Sequence, residues 1–325
     1  MSVVLDIQNL ETRFSTREGY VYAVNGASLQ VSSRETLGIV GESGCGKSVT
    51  MMSVLGLVPI PPGEITGGRA LFKDADLLKY SSAELRRIRG REIGFIFQDP
   101  MTSFNPVLTI GRQLIEPLQE HRHLSKRESY GKAVEMLDLV GIPNPKERLG
   151  DYPHQFSGGM RQRAMIAMAL ICNPDLLIAD EPTTALDVTI QAQIVELVNQ
   201  LKGDLQMSII WITHDLGVIA GMADRVAVMY GGMVVEEAQV DLLYEEPLHP
   251  YTRGLLDSLP KDGSREALKP IKGAPAILRE KPAACPFEHR CAFAMPVCRQ
   301  KVPDMKGGSA HRVACWLHEQ ETMNG

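Results

Sequence analysis

Apolar and polar residues alternate through positions 3–31, as in Leu5-Asp6-Ile7-Gln8 and Leu29-Gln30-Val31, and this period of two predicts the strands of an antiparallel hairpin. A short apolar run, Thr36 to Val40, predicts a buried strand, with a helix over Val49 to Leu57 after it. Residues 59–68 form a loop by their proline and glycine content. Ile93 to Phe97 reads as a second buried strand ending at Gln98. Residues 110–140 are mostly helical, with Ile110, Leu114, Ile115 and Leu118 at helical spacing, and Met160 to Ile171 is a further helix. Leu176 to Ala179 is wholly apolar, the signature of a strand inside a parallel sheet. Val188 to Leu201 predicts a helix, and Ser208 to Ile212 and Val226 to Tyr230 predict strands. From about Glu246 the chain turns to proline, glycine and charge, and a domain boundary is placed there. Strands alternating with helices imply an open α/β sheet, whose ligands sit at the carboxyl ends of the strands.

Composition narrows the classes. The 325 residues have room for one large domain with an appendage or for two domains, and 44% apolar content suffices for a sizeable core. A net charge of -5 argues against a nucleic-acid partner. There is no secretory leader pattern, and no apolar run approaches the roughly 18–20 residues of a membrane span. The chain therefore reads as cytosolic, with any membrane contact made through a partner. Of six cysteines, Cys45 and Cys172 stand alone, whereas Cys285, Cys291, Cys298 and Cys315 cluster in a C-x5-C-x6-C-x16-C pattern. In a reducing compartment such a cluster points to a metal rather than to disulfides. It has neither the close cysteine pair usual for structural zinc nor the common ferredoxin run, so spacing alone gives four thiolates and some metal.

The chemistry concentrates at the strand ends. Gly41-Glu42-Ser43-Gly44-Cys45-Gly46-Lys47-Ser48 fits the phosphate-binding P-loop, between a strand and a helix as that motif requires. Its backbone N–H groups and the helix N-terminus would cradle phosphates, Lys47 would reach the β- and γ-phosphates, and Ser48 would hold Mg²⁺. Asp180 follows four apolar residues in the Walker B manner and would share that Mg²⁺; Glu181 would orient or deprotonate the attacking water. Ser157-Gly158-Gly159 at a helix start offers a second anion site, suited to a nucleotide presented by another chain; as a plain alternative, Ser157 is an ordinary cap. Cys45, near a helix N-terminus, reads as a small tolerated side chain, the alternative being a lowered thiol pKa with ATP-protectable alkylation.

Ser157-Gly158-Gly159-Met160-Arg161-Gln162 resembles the signature motif of ATP-binding-cassette (ABC) ATPases, and the other motifs of that family occur in order. Gln98 matches the Q-loop, Ala185-Leu186-Asp187 the D-loop, and His214 in Ile212-Thr213-His214-Asp215 the switch histidine. The resemblance covers residues 3 to about 260. It implies a P-loop ABC-ATPase core with an antiparallel β subdomain and a helical subdomain, followed by a small Cys-rich C-terminal domain. The nucleotide-binding domain would span 1–245, its helical subdomain about 99–165, and the extension 246–325. Two subunits would clamp each ATP between Lys47 of one and Ser157 of the other. Phe14 is the preferred aromatic for stacking on adenine, with Tyr20 and Tyr22 as alternatives. Gly41, Ser43, Gly44, Cys45, Gly46, Lys47, Ser48 and Val49 would hold the phosphates, and Ser157, Gly158, Gly159, Gln162 and Asp187 would act across the dimer. Glu181, His214 and Gln98 would be catalytic, and Ser48, Gln98 and Asp180 would ligate Mg²⁺.

Gln98 to Pro106, Tyr152 to Phe156 and His249-Pro250-Tyr251-Thr252 look like the ATPase subunits of dipeptide and oligopeptide importers, a group that includes nickel and glutathione importers. That resemblance implies two integral membrane permease subunits, a second ABC ATPase subunit that is a paralogue, and an extracytoplasmic binding protein that selects the solute. It places the chain at the cytoplasmic face of the membrane. It also implies that Cys285, Cys291, Cys298 and Cys315 ligate a [4Fe–4S] cluster, with Zn²⁺ as the alternative and His289, His311 and His318 as spare ligands. The rival readings are an importer of nickel or another small solute, a soluble ABC ATPase outside transport, and a nucleotide-binding regulatory subunit that senses iron or redox state through the tail.

Overall fold

The computed structural model describes residues 2–99, 103–184, 187–259, 271–275 and 277–318. Its strands are β1 (Val3–Thr16), β2 (Gly19–Ser32), β3 (Thr36–Val40), β4 (Gly63–Phe72), β5 (Ala75–Asp76), β6 (Ile93–Ile96), β7 (Leu176–Asp180), β8 (Ser208–Thr213), β9 (Arg225–Tyr230), β10 (Met233–Gln239), β11 (Lys306–Gly307) and β12 (His311–Val313). The helices are α1 (Lys47–Val54), α2 (Ser82–Ile88), α3 (Ile110–Arg122), α4 (Lys126–Leu139), α5 (Pro145–Arg148), α6 (Gly158–Leu170), α7 (Val188–Leu205), α8 (Leu216–Ala220), α9 (Val240–Glu245) and α10 (Pro250–Asp257). The chain divides into two compact units.

One unit holds residues 80–212 with short N-terminal pieces. Its strands run parallel in the order β8, β7, β6, and Asp180 pairs in register with Ile212. β7 and β8 are buried at every position, which is why they read as unbroken apolar runs. The segment expected to be helical over 110–140 is two helices. Thr109 caps α3, whose Ile110, Leu114 and Leu118 are buried on one face. His123 then adopts a left-handed conformation, and Ser125 with Glu128 forms a capping box that restarts the chain as α4.

The other unit holds residues 5–31, 35–79 and the chain from 213 onward. An antiparallel sheet in the order β2, β1, β4, β5 contains the expected hairpin, with Leu5 opposite Phe72 and Ile7 opposite Ala70. A second set of strands runs β3, β9, β10, β12, β11, with β3 parallel to β9 and the remainder antiparallel. β3 is buried throughout and leads directly into the glycine-rich loop and α1.

The small Cys-rich domain expected at the C-terminus is not confirmed as a separate body. β12 extends the strands by pairing with β10, and Phe287, 3% exposed, packs edge-on against Tyr230 with ring centroids 5.1 Å apart. A loop-rich segment of this length builds little core of its own. Here it borrows one from β9, β10 and α10.

Candidate functional site

The P-loop is held in a conformation that its glycines permit. Gly46 has φ +101°, and a Cβ there would lie 2.4 Å from the Ala23 carbonyl oxygen. Gly41 is equally confined: a Cβ would lie 2.3 Å from the Met229 carbonyl oxygen. Lys47 is 5% exposed, and its Nζ donates to the carbonyls of Gly41 at 2.7 Å and Glu42 at 3.1 Å. The ammonium thus rests on the loop's own carbonyls. Ser48 follows at the first turn of α1 and Val49 lies beside it, both half-buried, whereas Ser43 and Gly44 are exposed at the loop's outer bend.

Cys45 follows the plainer of its two readings, and the lowered thiol pKa is not found. Its thiol is 2% exposed, and burial pushes its pKa up, outweighing the neighbouring Lys47 ammonium. Desolvation of the thiolate exceeds any gain from the helix terminus. The residue is therefore a small buried side chain rather than a reactive one.

In the other unit, Glu181 sits just past β7 with φ +47°, the left-handed region that costs a non-glycine residue on the order of 1–3 kcal/mol. Its N–H donates to the Ile212 carbonyl at 2.9 Å. Its carboxylate accepts from Gln98 Nε2 at 3.1 Å and from Thr184 Oγ1 at 3.0 Å. Two predicted site residues, Gln98 and Glu181, are therefore in direct contact. Asp180, one residue earlier, is 5% exposed. Ser157 caps α6, its Oγ accepting from the Met160 N–H at 3.3 Å, and Gly158 has open space where a Cβ would stand. Gln162, 2% exposed, donates to the Pro182 carbonyl and so ties α6 to the turn after Glu181. Asp187 caps α7 through the Ile190 N–H at 2.9 Å. The other two D-loop residues, Ala185 and Leu186, lie outside the described residues, as do Pro100, Met101 and Thr102 after the Q-loop.

His214 is exposed after β8, followed by Asp215, which caps α8 through the Gly217 N–H at 2.8 Å. Of the three aromatics in the hairpin, Phe14 is half-buried near Gly63, Tyr22 is half-buried, and Tyr20 is 43% exposed under the Arg13 guanidinium at 4.2 Å.

The C-terminal segment reaches the P-loop, which the sequence reading did not foresee. Glu236 is fully buried and accepts from the N–H groups of Leu248 at 2.7 Å and His249 at 2.9 Å, and from His311 Nε2 at 2.7 Å. His249 in turn caps α10, its Nδ1 accepting from the Tyr251 N–H at 3.0 Å. Complete burial lowers the His249 pKa to about 3. Tyr251, also buried, accepts the Glu42 N–H on its hydroxyl at 2.8 Å. The His-Pro-Tyr stretch therefore supports the phosphate loop through one hydrogen bond. The only local clue was the motif itself, because its partner lies 209 residues away.

The metal site expected at the tail is not supported. Among the described residues no group of three or more His, Cys, Asp or Glu could hold a metal ion. Cys285, Cys291, Cys298 and Cys315 do line one cavity, together with Phe287, Phe293 and Trp316. Its volume is about 20 Å³, little more than one water needs. Burial pushes the Cys285 thiol up to about 12 and the Cys315 thiol up to about 11. Two of the spare ligands are engaged elsewhere, His311 with Glu236 and His318 Nε2 with the Leu248 carbonyl at 3.1 Å.

A glycine cradle with a stored lysine, an acidic pair after a buried parallel strand and a serine-capped glycine helix define a P-loop nucleoside triphosphatase of the cassette class. Comparison with known proteins agrees. The ABC transporter family matches residues 24–184, and the oligopeptide/dipeptide transporter C-terminal region matches residues 235–298. The dipeptide transport ATP-binding protein DppD of Bacillus subtilis is 53% identical over 98% of this chain and 96% of its own. The oligopeptide transport ATP-binding protein OppD of Haemophilus influenzae is 48% identical over 99% of each chain. Among solved structures, the dimeric ABC transporter cassette MJ0796 superposes with a TM-score of 0.65 at 29% identity, covering 73% of this chain and 98% of that one. The chain belongs to the ABC transporter ATP-binding family and has its ATPase fold.

Proposed function

We propose that this chain is the ATP-hydrolysing, energy-coupling subunit of a membrane importer for dipeptides or oligopeptides. The observation that carries the reading is similarity to dipeptide and oligopeptide transport ATP-binding proteins along nearly the whole chain, including the C-terminal region. Among the described residues no helix is long and apolar enough to cross a membrane. A peripheral subunit docked at the cytoplasmic face on two permeases, beside a second cassette ATPase, accommodates that. The binding protein outside the membrane then selects the peptide.

In this reading Lys47 leaves the carbonyls of Gly41 and Glu42 to meet the phosphates, while the P-loop N–H groups fix their orientation. Glu181 holds the attacking water, and Gln98, bonded to its carboxylate, sets that carboxylate's direction. His214 meets the charge that develops on the phosphoryl oxygens. Ser157 and Gly158 present the start of α6 to the nucleotide of the partner subunit. The oxygens of Ser48, Asp180 and Gln98 suit Mg²⁺. Gln98's amide nitrogen is engaged with Glu181, so its oxygen is the atom that suits a hard cation. Mg²⁺ held there would supply neutralisation of the phosphate charge. The four tail cysteines are the ligands we assign should the tail carry a [4Fe–4S] cluster. Four cysteines lining one cavity support this. Zn²⁺ needs four donors about a single ion, and no such group occurs among the described residues. Iron and acid-labile sulfide in anaerobically purified protein test this assignment, and their absence removes the cluster.

Co-purification from solubilised native membranes tests the transport reading. Recovery of two multi-span permeases and a second cassette ATPase is the expected result. Recovery of the chain alone, or with ribosomes, refutes it.

A further inference from the structure

The second residue of the P-loop, Glu42, carries a carboxylate beside the place where a triphosphate must bind. Arg290, from the tail, holds that carboxylate with both arms of its guanidinium. One terminal nitrogen lies 2.5 Å from Glu42 Oε2 and the other 2.9 Å from Oε1. The Arg290 side chain is 2% exposed and that of Glu42 26%. Arg290 is itself fixed. Its Nε donates to the Lys272 carbonyl at 3.0 Å, a terminal nitrogen donates to the Gly273 carbonyl at 3.0 Å, and the guanidinium carbon lies 5.7 Å from the Tyr230 ring centre. Glu42 is pinned at two further points, its N–H on the Tyr251 hydroxyl and its carbonyl on Lys47 Nζ.

We propose that Arg290 is a positioning residue for nucleotide binding: it neutralises Glu42 and holds its carboxylate off the phosphate path, leaving Lys47 to the nucleotide. Two consequences of losing Arg290 follow from charge. An unheld Glu42 carboxylate would pair with the Lys47 ammonium in place of the phosphates, and it would repel the triphosphate at short range. The bidentate fork matters as well as the charge, because it fixes the direction of the carboxylate. The proposal rests on the P-loop reading of residues 41–48.

Equilibrium binding of a fluorescent Mg²⁺–ATP analogue to the full-length chain tests it, with Lys47→Ala as the control for the P-loop reading. Arg290→Gln should weaken binding about tenfold, the size of one charge-assisted hydrogen bond. Glu42→Gln/Arg290→Gln should recover to within about threefold of wild type, because the unheld charge is then gone. A purely structural Arg290 would leave the double variant as weak as Arg290→Gln or weaker, and that outcome overturns the proposal. Should Arg290→Gln not fold, Arg290→Lys keeps the charge without the fork. It should bind about two- to fivefold more weakly, and by more at low salt; wild-type affinity at all salt concentrations overturns the proposal. If Lys47→Ala binds as tightly as wild type, the P-loop reading falls and this proposal with it. If Lys47→Ala loses binding while Arg290→Gln keeps it, Arg290 alone is refuted.

Discussion

Replacing Glu236 with glutamine isolates what docks the tail. The carboxylate is fully buried and accepts three hydrogen bonds, two on Oε1 from Leu248 N–H and His311 Nε2 and one on Oε2 from His249 N–H. Glutamine has the same shape but only one acceptor oxygen. With that oxygen in the Oε1 position, the amide nitrogen faces the His249 N–H donor to donor, and the buried backbone group is left unpaired. That costs about 1–3 kcal/mol. The two surviving bonds lose their charge assistance, roughly half their strength. The sum is about 2–4 kcal/mol against the docked state, or roughly a 30- to 1000-fold larger population of the undocked tail. Hydrogen exchange read by mass spectrometry on peptides spanning 306–318 measures this, since β12 exchanges only when it leaves β10. Exchange there should accelerate by that factor, with β7 and β8 unchanged. An acceleration below about threefold refutes the assignment of Glu236 as the docking centre.

The same exchange experiment has a pH dependence. His249 has a folded pKa depressed to about 3 from 6.5, so its contribution is full above pH 6.5 and is lost as pH falls toward 3, by up to about 1.4 kcal/mol per pH unit. Undocking of 306–318 should rise between pH 6.5 and 5, and His249→Gln should flatten that rise; an unchanged slope counts against it. Glu181→Gln should lower steady-state ATP hydrolysis by at least about a hundredfold while ATP still binds, since it keeps the hydrogen bond to Thr184 and loses only the charge. Near-normal turnover withdraws its role at the water. Cys45, buried with its pKa raised, should resist iodoacetamide at pH 7.5 in the folded chain whether or not ATP is present, and react once the chain is unfolded in urea. Rapid labelling of the native protein would show that the thiol is accessible after all.

What was legible in the sequence was what local pattern encodes. β3, β7 and β8 are buried on both faces, so their residues are apolar in succession, and the loops at their ends carry fixed spacings. β10 escaped notice because Glu236 and Glu237 interrupt its apolar run. Both are buried only because partners on neighbouring strands meet them, His311 for the first and Arg225 and Arg312 for the second. The break between α3 and α4 was missed although Ser125 and Glu128 stand at capping-box spacing, since the helical period of the flanking segments masked it. The left-handed Glu181 has no sequence signal at all: its conformation follows from the Ile212 carbonyl and the turn to Thr184. Arg290 reads as one charge among many beside Cys291, and its significance appears only with Glu42, 248 residues away.

These long-range pairs have a thermodynamic consequence. The tail lacks a core of its own and is held by Glu236, by the rings of Tyr230 and Tyr251 around Phe287, and by Glu42. Undocking the tail withdraws Arg290 from Glu42, the same loss that Arg290→Gln produces. Linkage then requires reciprocity: if the docked tail tightens nucleotide binding about tenfold, saturating nucleotide must suppress undocking by the same factor. Exchange in residues 306–318 should therefore slow about tenfold when a non-hydrolysable ATP analogue saturates the site, and the slowing should vanish in Arg290→Gln. Exchange that ignores the nucleotide in the wild-type chain would mean that the tail and the P-loop share a contact without sharing free energy.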